Sequence, residues 1–279
     1  MKKSKNNSKT VTVIVHIIMF VLALIWLYPY AWMFMASIKP TANVMTTSLF
    51  EGPFTLENFR FLVVASEKLH FPFIRALMNS VFVTIVATIC VTVLTAIVSY
   101  AFVKLDFVGK KLMDKMIIFQ MVMPTFMFLV PQFLLMRYLN LLNTYSALFL
   151  PYVVSVSFIF MLSQSFKGTP DAYIEAARID GASDLWIVFR LMMPLNKAMI
   201  SIIAIQGFTV VWNDFLWPLI VISDFNKMTL AMMLATFFKN YGNYIGPIMA
   251  GTVILTIPMI IGFIVFRKQI LSGMNLSMK

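Results

Sequence analysis

The sequence has very few of the residues that build disulfides, metal sites or catalytic centres. Cys90 is the only cysteine among 279 residues, which excludes a disulfide or a cysteine metal cluster within one chain. The two histidines, His16 and His70, lie far apart and form no HExxH pattern, so no metal site is predicted. A GxxxxGK[ST] loop is also lacking, which excludes nucleotide binding by that route. If the function needs ATP, another polypeptide is expected to bind it.

Charge is scarce as well. Charged residues make up 12% of the chain, about half the usual share, while 61% of residues are hydrophobic. The mean hydropathy of +0.88 is too high for a soluble domain and predicts an integral membrane protein. The net charge is +11, but Lys and Arg are scattered at the ends of apolar stretches. This distribution indicates membrane topology rather than nucleic-acid binding.

Six apolar stretches are long enough to cross a bilayer as helices. They are residues 11–34, 77–103, 116–136, 147–166, 198–222 and 247–266. The second is rich in β-branched residues, but a helix is favoured because a lone strand in lipid leaves its backbone groups unpaired. The first also fits a signal peptide, although its length and the missing A-x-A site favour a retained span. Breaks are expected at Pro124, Pro131 and Pro258. The predicted fold class is therefore an all-α membrane protein with six transmembrane helices.

The distribution of Lys and Arg predicts the orientation. If both termini are cytoplasmic, the inner segments hold 15 of the 22 Lys and Arg residues, in agreement with the positive-inside rule. The expected divisions are a cytoplasmic basic tail (1–10), an extracytoplasmic loop (35–76), a core domain (77–268) and a cytoplasmic tail (269–279). Within the extracytoplasmic loop, residues 55–58 are expected to open a short helix. This loop is either a passive tether or a partial dock for an external partner.

Residues 169–194 are the longest interior stretch that is both charged and helix-competent. Thr169 is expected to cap a helix that has Pro170 at its first position and stops at Gly181. A second short helix is expected from Ser183 to about Met192, halted before Pro194. We call residues 169–194 the elbow and expect it to lie outside the bilayer. Its small alanines allow close approach to another surface, and its charged residues can pair there.

The elbow carries a family resemblance. Glu175-Ala176-Ala177, three residues, Gly181, nine residues and then Leu191-Met192-Met193-Pro194 resembles the EAA signature of permease subunits in binding-protein-dependent ABC importers. The sequence departs from that signature conservatively, at Leu191 and Met193. The pieces SIKP, TLENF and LNLLNTYSALFLPY resemble the carbohydrate-uptake subgroup. The C-terminal tail departs from the Gly- and Ala-rich ending of maltose-type relatives, which places a contact of this tail with the ATPases in doubt.

The resemblance implies a type I ABC importer permease (MetI-like) fold, in which the elbow is the cytoplasmic coupling helix. The chain would form half of a path for a sugar or oligosaccharide, with no catalytic role and no cofactor of its own. Implied partners are a second homologous permease, two ABC ATPase subunits that bind ATP and Mg, an extracytoplasmic solute-binding protein and the lipid bilayer. The residues expected to couple to the ATPase are Tyr173, Glu175, Ala176, Ala177, Arg178, Asp180, Gly181 and Pro194. The alternative is a self-contained secondary transporter or channel for a small polar solute.

Polar residues and proline within or beside the spans are candidates for the substrate pathway. They are Asn79, Gln120, Pro124, Gln132, Gln206, Trp212, Asn213 and Asp214. Asp214 is the only acidic residue in a predicted span, and a carboxylate at that depth is costly unless it is paired or faces water. Asn213 can hydrogen-bond to a sugar and Trp212 can stack on one. Alternatively, Trp212 anchors the helix at the membrane interface.

Overall fold

The computed structural model describes residues 2–40, 44, 53–65 and 71–276. These residues form helices and the turns between them, with no strand in the described ranges. The chain divides into two compact units: residues 1–70 with 236–256, and residues 71–235 with 257–279. This division differs from the expected segments, because residues 236–256 of the predicted core belong to the first unit.

The helices follow one another with short breaks. They are α1 Lys2–Ser37, α2 Glu57–Arg60, α3 Phe73–Lys104, α4 Lys110–Val122, α5 Leu129–Tyr138, α6 Tyr145–Phe149, α7 Val156–Lys167, α8 Asp171–Ile179, α9 Asp184–Trp186, α10 Met193–Leu195, α11 Lys197–Asn213, α12 Leu216–Val221, α13 Leu230–Tyr241 and α14 Ile245–Leu276. A π-helical turn, Phe61–Ala65, extends the short helix expected in the first loop.

In the first unit, Asn58 holds the end of α1. Its side chain is buried, and its amide nitrogen donates to the carbonyl oxygens of Ser37 at 2.8 Å and Lys39 at 2.7 Å. Nearby, Phe61 stacks on Tyr244 with ring centroids 5.3 Å apart. Polar and aromatic contacts thus fix α2 within this unit.

Three helices are long and apolar enough to cross a membrane unbroken: Val11–Ser37, Phe73–Lys104 and Ile245–Lys268. Three pairs of helical segments meet the same requirement together, but each is bent at a short break. These are 110–122 with 125–138, 145–152 with 156–167, and 184–195 with 197–213, bent by 107°, 44° and 93°. Counting each bent pair as one span gives six spans. Length and composition thus agree with the predicted number.

The breaks correct the predicted spans in detail. In the third span the helix breaks once, at Pro124, because Pro131 lies in the first turn of α5, where its missing N–H costs no helical bond. The sixth helix runs through Pro258 without interruption. The predicted fifth span, 198–222, is instead divided at Asp214 into α11 and α12.

Candidate functional site

The elbow begins with a regular helix and a glycine stop. Helix α8 starts at Asp171, so Pro170 is the N-cap, one residue later than predicted for Thr169. At the other end Gly181 adopts φ +82°, in the left-handed region. The N–H of Gly181 donates to Arg178 O at 3.0 Å and that of Ala182 to Ala177 O at 2.9 Å. These two bonds form a Schellman motif, which confirms Gly181 as the residue that ends the helix.

The second limb of the elbow differs from the prediction. Helix α9 passes into a π-helical turn, Ile187–Met192, and then into α10, so the limb continues through Pro194 to Leu195. Pro194 lies in the first turn after the π segment, where the lack of an N–H is tolerated. Proline therefore does not stop this limb.

A shared apolar core fastens both limbs to the spans. Ile174 of α8, 3% exposed, packs in one cluster with Ile187, Val188 and Met192 of the second limb. The spans contribute the rest of this cluster: Ala96 and Tyr100 of α3, Leu162 and Phe166 of α7, and Ile203 of α11. Since close-packed cores transmit displacement, a force on the elbow is carried to three helices at once.

Polar contacts reinforce the same attachment. Lys104, at the end of α3, donates to Asp171 Oδ1 at 2.6 Å and to Thr169 O at 2.9 Å. Asp184 Oδ1 accepts from the Tyr100 hydroxyl at 2.7 Å and from Arg178 at 3.1 Å. These hydrogen bonds, from Tyr100 first and Arg178 second, hold the pKa of Asp184 below its usual value. Arg178, predicted to pair with a partner protein, is therefore engaged within the elbow.

The opposite face of the elbow is exposed. Ile179 is 86% exposed and Tyr173 55%, although both are large and apolar in character. Glu175, Ala176 and Asp180 are also exposed, and within the described part of the chain Glu175 and Asp180 form no ion pair. This face has the size, charge and apolar groups of a surface that another protein covers.

A cavity of about 700 Å³ lies in the second unit. Four of the predicted pathway residues line it: Gln120, Gln132, Asn213 and Asp214. Side-chain hydroxyls and aromatic rings make up much of the remaining wall, including Thr125, Tyr152, Ser155, Ser157 and Trp217. No lysine, arginine or histidine is among its lining residues. Such a wall suits an uncharged polyhydroxy solute.

The other predicted pathway residues are not part of this wall. Asn79 is buried and fully used: its amide nitrogen donates to Asn226 O and Met228 O, both at 2.9 Å, and its oxygen accepts from Tyr145. Trp212 is 2% exposed and stacks on Phe208, so its ring lies in the protein interior and not at a membrane interface. Pro124 and Gln206 are exposed but do not line the cavity.

Asp214 is paired rather than isolated. Its Oδ1 accepts from the N–H groups of Leu216 at 3.0 Å and Trp217 at 3.4 Å, so it caps α12. Its Oδ2 accepts from the hydroxyl of Tyr152. Hydrogen bonds to a charged group each contribute about 1.5–3 kcal/mol. Three of them outweigh the roughly 2.5–3.5 kcal/mol that a carboxylate costs at the centre of a membrane helix.

The sequence did not point to several residues that organise the site. Tyr100, Lys104, Tyr152 and Asn196 contact the elbow or Asp214 from distant positions in the chain. Asn196, for example, accepts from Ser165 at 2.7 Å and donates to Thr169 Oγ1 at 3.2 Å. Their only signal was a polar group close to a predicted span end.

Comparison with known proteins identifies the family. The family described as "Binding-protein-dependent transport system inner membrane component" matches residues 93–270, which include the elbow and the cavity wall from Gln120 to Trp217. The chain belongs to this family. It is thus a multi-pass cell-membrane protein and a permease component of an ABC importer, which disfavours a self-contained secondary transporter.

Individual relatives of this permease agree along most of their length. The arabinooligosaccharides transport system permease protein AraQ of Halalkalibacterium halodurans is 31% identical, with 91% of each chain covered. The trehalose/maltose transport system permease protein MalG of Thermococcus litoralis is 30% identical, again with 91% of each chain covered. The diacetylchitobiose uptake system permease protein NgcG of Streptomyces coelicolor is 28% identical over 98% of this chain and 91% of its own.

A solved structure supports the fold of the permease. A bacterial ABC transporter involved in the import of the acidic polysaccharide alginate has a chain that matches with a TM-score of 0.82. The match covers 93% of this chain and 96% of that one, at 23% identity. The type I importer permease fold is therefore confirmed.

Proposed function

We propose that this permease forms half of the translocation path of an ATP-driven importer for an uncharged sugar or oligosaccharide. The other half is a second homologous permease, and a solute-binding protein delivers the sugar from outside. Two ABC ATPases bind ATP and Mg on the cytoplasmic side, where both termini of this chain lie. The relatives named for arabinooligosaccharides, trehalose or maltose, and diacetylchitobiose support the substrate class.

The observation that carries the proposal is the two-sided elbow. One face is fixed in the core with α3, α7 and α11, and the other exposes Glu175, Ala176 and Ile179. Closure of the ATPases against the exposed face moves the spans behind it, which switches the side on which the cavity opens. Glu175 pairs with a basic group of the ATPase, since it has no ion pair among the described residues.

The coupling role is tested with a charge reversal at Glu175. In proteoliposomes that contain the whole transporter, Glu175→Lys is expected to reduce sugar uptake more than tenfold while the complex stays folded in the membrane. Asp114→Lys is the matched control, because Asp114 is also an exposed carboxylate without an ion pair in the described residues. Normal uptake by the Glu175 variant, or equal loss in both variants, contradicts the assignment.

The pathway role is tested separately at the cavity. Asn213→Leu removes one polar group from the wall and is expected to lower uptake several-fold while ATP hydrolysis by the assembled complex is retained. The sugar is identified first by thermal shift of the cognate solute-binding protein with arabinotriose, trehalose, lactose and diacetylchitobiose. Unchanged uptake by the variant removes Asn213 from the pathway.

A further inference from the structure

Two of the broken spans have their breaks at the wall of the same cavity. Between the turn that ends at Tyr152 and helix α7, residues 153–155 are not helical. Between α11 and α12, Asp214 and Phe215 are not helical. Tyr152, Val154, Ser155 and Asp214 all line the cavity. Breaks of this kind are the places where a helix changes direction, because the ladder of backbone hydrogen bonds is interrupted.

One side-chain hydrogen bond joins these two breaks directly. The Tyr152 hydroxyl donates to Asp214 Oδ2, while Asp214 Oδ1 accepts from the first two N–H groups of α12, those of Leu216 and Trp217. The indole Nε1 of Trp217 then donates to Ala147 O of α6 at 2.8 Å. The result is a closed ring of contacts that runs from one broken span to the other and back.

We infer that Tyr152 is a positioning residue for transport. Through Asp214 it fixes the first turn of α12 relative to the break at residues 153–155, so that the two breaks rearrange together when the cavity changes the side on which it opens. Without the hydroxyl, Asp214 keeps its two backbone donors, but the link between the two spans at this level is lost. This inference rests on the proposed transport function.

The chain contains a matched control for this bond. Tyr145, on the neighbouring helix α6, also donates its hydroxyl to a side-chain oxygen, that of Asn79, at 2.9 Å. That bond joins α6 to α3, which has no break. Tyr145→Phe therefore removes an equivalent hydroxyl contact without separating the two breaks.

The test is hydrogen exchange, measured by mass spectrometry, of the assembled transporter with and without ATP and vanadate. In the wild type, peptides that cover residues 153–155 and 214–217 are expected to change protection together on trapping. In Tyr152→Phe, the N–H groups of residues 216 and 217 are expected to exchange about tenfold faster at rest, since Asp214 loses a charge-assisted bond. Their response to trapping is also expected to separate from that of residues 153–155. Tyr145→Phe is expected to keep the wild-type pattern at both breaks.

Three outcomes overturn the inference: a Tyr152→Phe pattern equal to that of Tyr145→Phe, a wild type in which only one break responds, or a wild type in which neither responds. A general loss of folding is recognised by faster exchange across the α3–α7–α11 core, and Tyr152→His, which retains a donor, then replaces the phenylalanine variant. The measurement needs no sugar. Failure of sugar uptake therefore leaves this inference intact, and failure of the coupling leaves the proposed function intact.

Discussion

Gly181 provides the sharpest test of the elbow. Its φ of +82° is strained for any residue with a Cβ, but a Cβ built there meets no atom within 4 Å. Substitution by alanine therefore costs only the left-handed backbone conformation, about 1–2 kcal/mol. That free energy changes the ratio of native to distorted elbow by a factor of roughly 5–30. Proline is expected to be far worse, since it fixes φ near −65° and lacks the N–H that bonds Arg178 O.

Gly109 separates coupling from stability. It has φ +90° and equally open surroundings, but it lies before α4 and outside the elbow. Gly109→Ala is therefore expected to lose a similar amount of stability without loosening α8. Only a coupling role for the elbow predicts different behaviour of the two alanine variants.

The assay compares the melting temperature with the number of ATP molecules hydrolysed per sugar imported. In proteoliposomes, Gly181→Ala is expected to raise that number several-fold, whereas Gly109→Ala shifts the melting temperature but leaves the number unchanged. Gly181→Asn is expected to fall between wild type and alanine, because asparagine tolerates the left-handed region better. If both alanine variants give the same number, the elbow is not the coupling element.

Two further predictions concern stability. Gly246→Ala places a Cβ on the amide oxygen of Asn58 and is expected to cost about 1–3 kcal/mol through loss of that buried side chain's bonds, whereas Gly262→Ala, in the same helix with no atom within 4 Å, is expected to be neutral or slightly stabilising; equal thermal unfolding of the two variants contradicts this. The pKa of Asp184 is lowered from its usual 3.8, so its contribution to elbow stability is complete above that value and is lost as pH falls through the lower folded pKa. Tyr100→Phe removes the main cause and is expected to shrink this acid-dependent loss in melting curves between pH 6 and pH 3; an unchanged loss refutes the role of the hydroxyl.

Much of the site could be predicted from local sequence. Gly181 and the EAA run fixed the end of α8, because a left-handed stop depends on a few adjacent residues. The same was true of the short helix that follows Thr55. Pro131, Pro194 and Pro258 were misjudged, since the effect of proline depends on its position within a turn and on whether the surrounding helix packs well enough to continue.

Contacts between distant residues could not be predicted in this way. Tyr152 and Asp214 are 62 positions apart, and Tyr100 and Asp184 are 84 apart. Nothing in the local pattern distinguishes these tyrosines from the others. Asp214 looked like an unpaired charge in a continuous span, whereas it caps a helix at a break.

Sequence alone determined that this chain is a six-span membrane protein with a charged elbow, because bilayer thickness and backbone hydrogen bonding leave few structures for long apolar runs. Tertiary structure decided which face of the elbow is free, which polar residues share the cavity and where the spans break. Those features depend on which side chains meet across helices, and a single helix does not encode them.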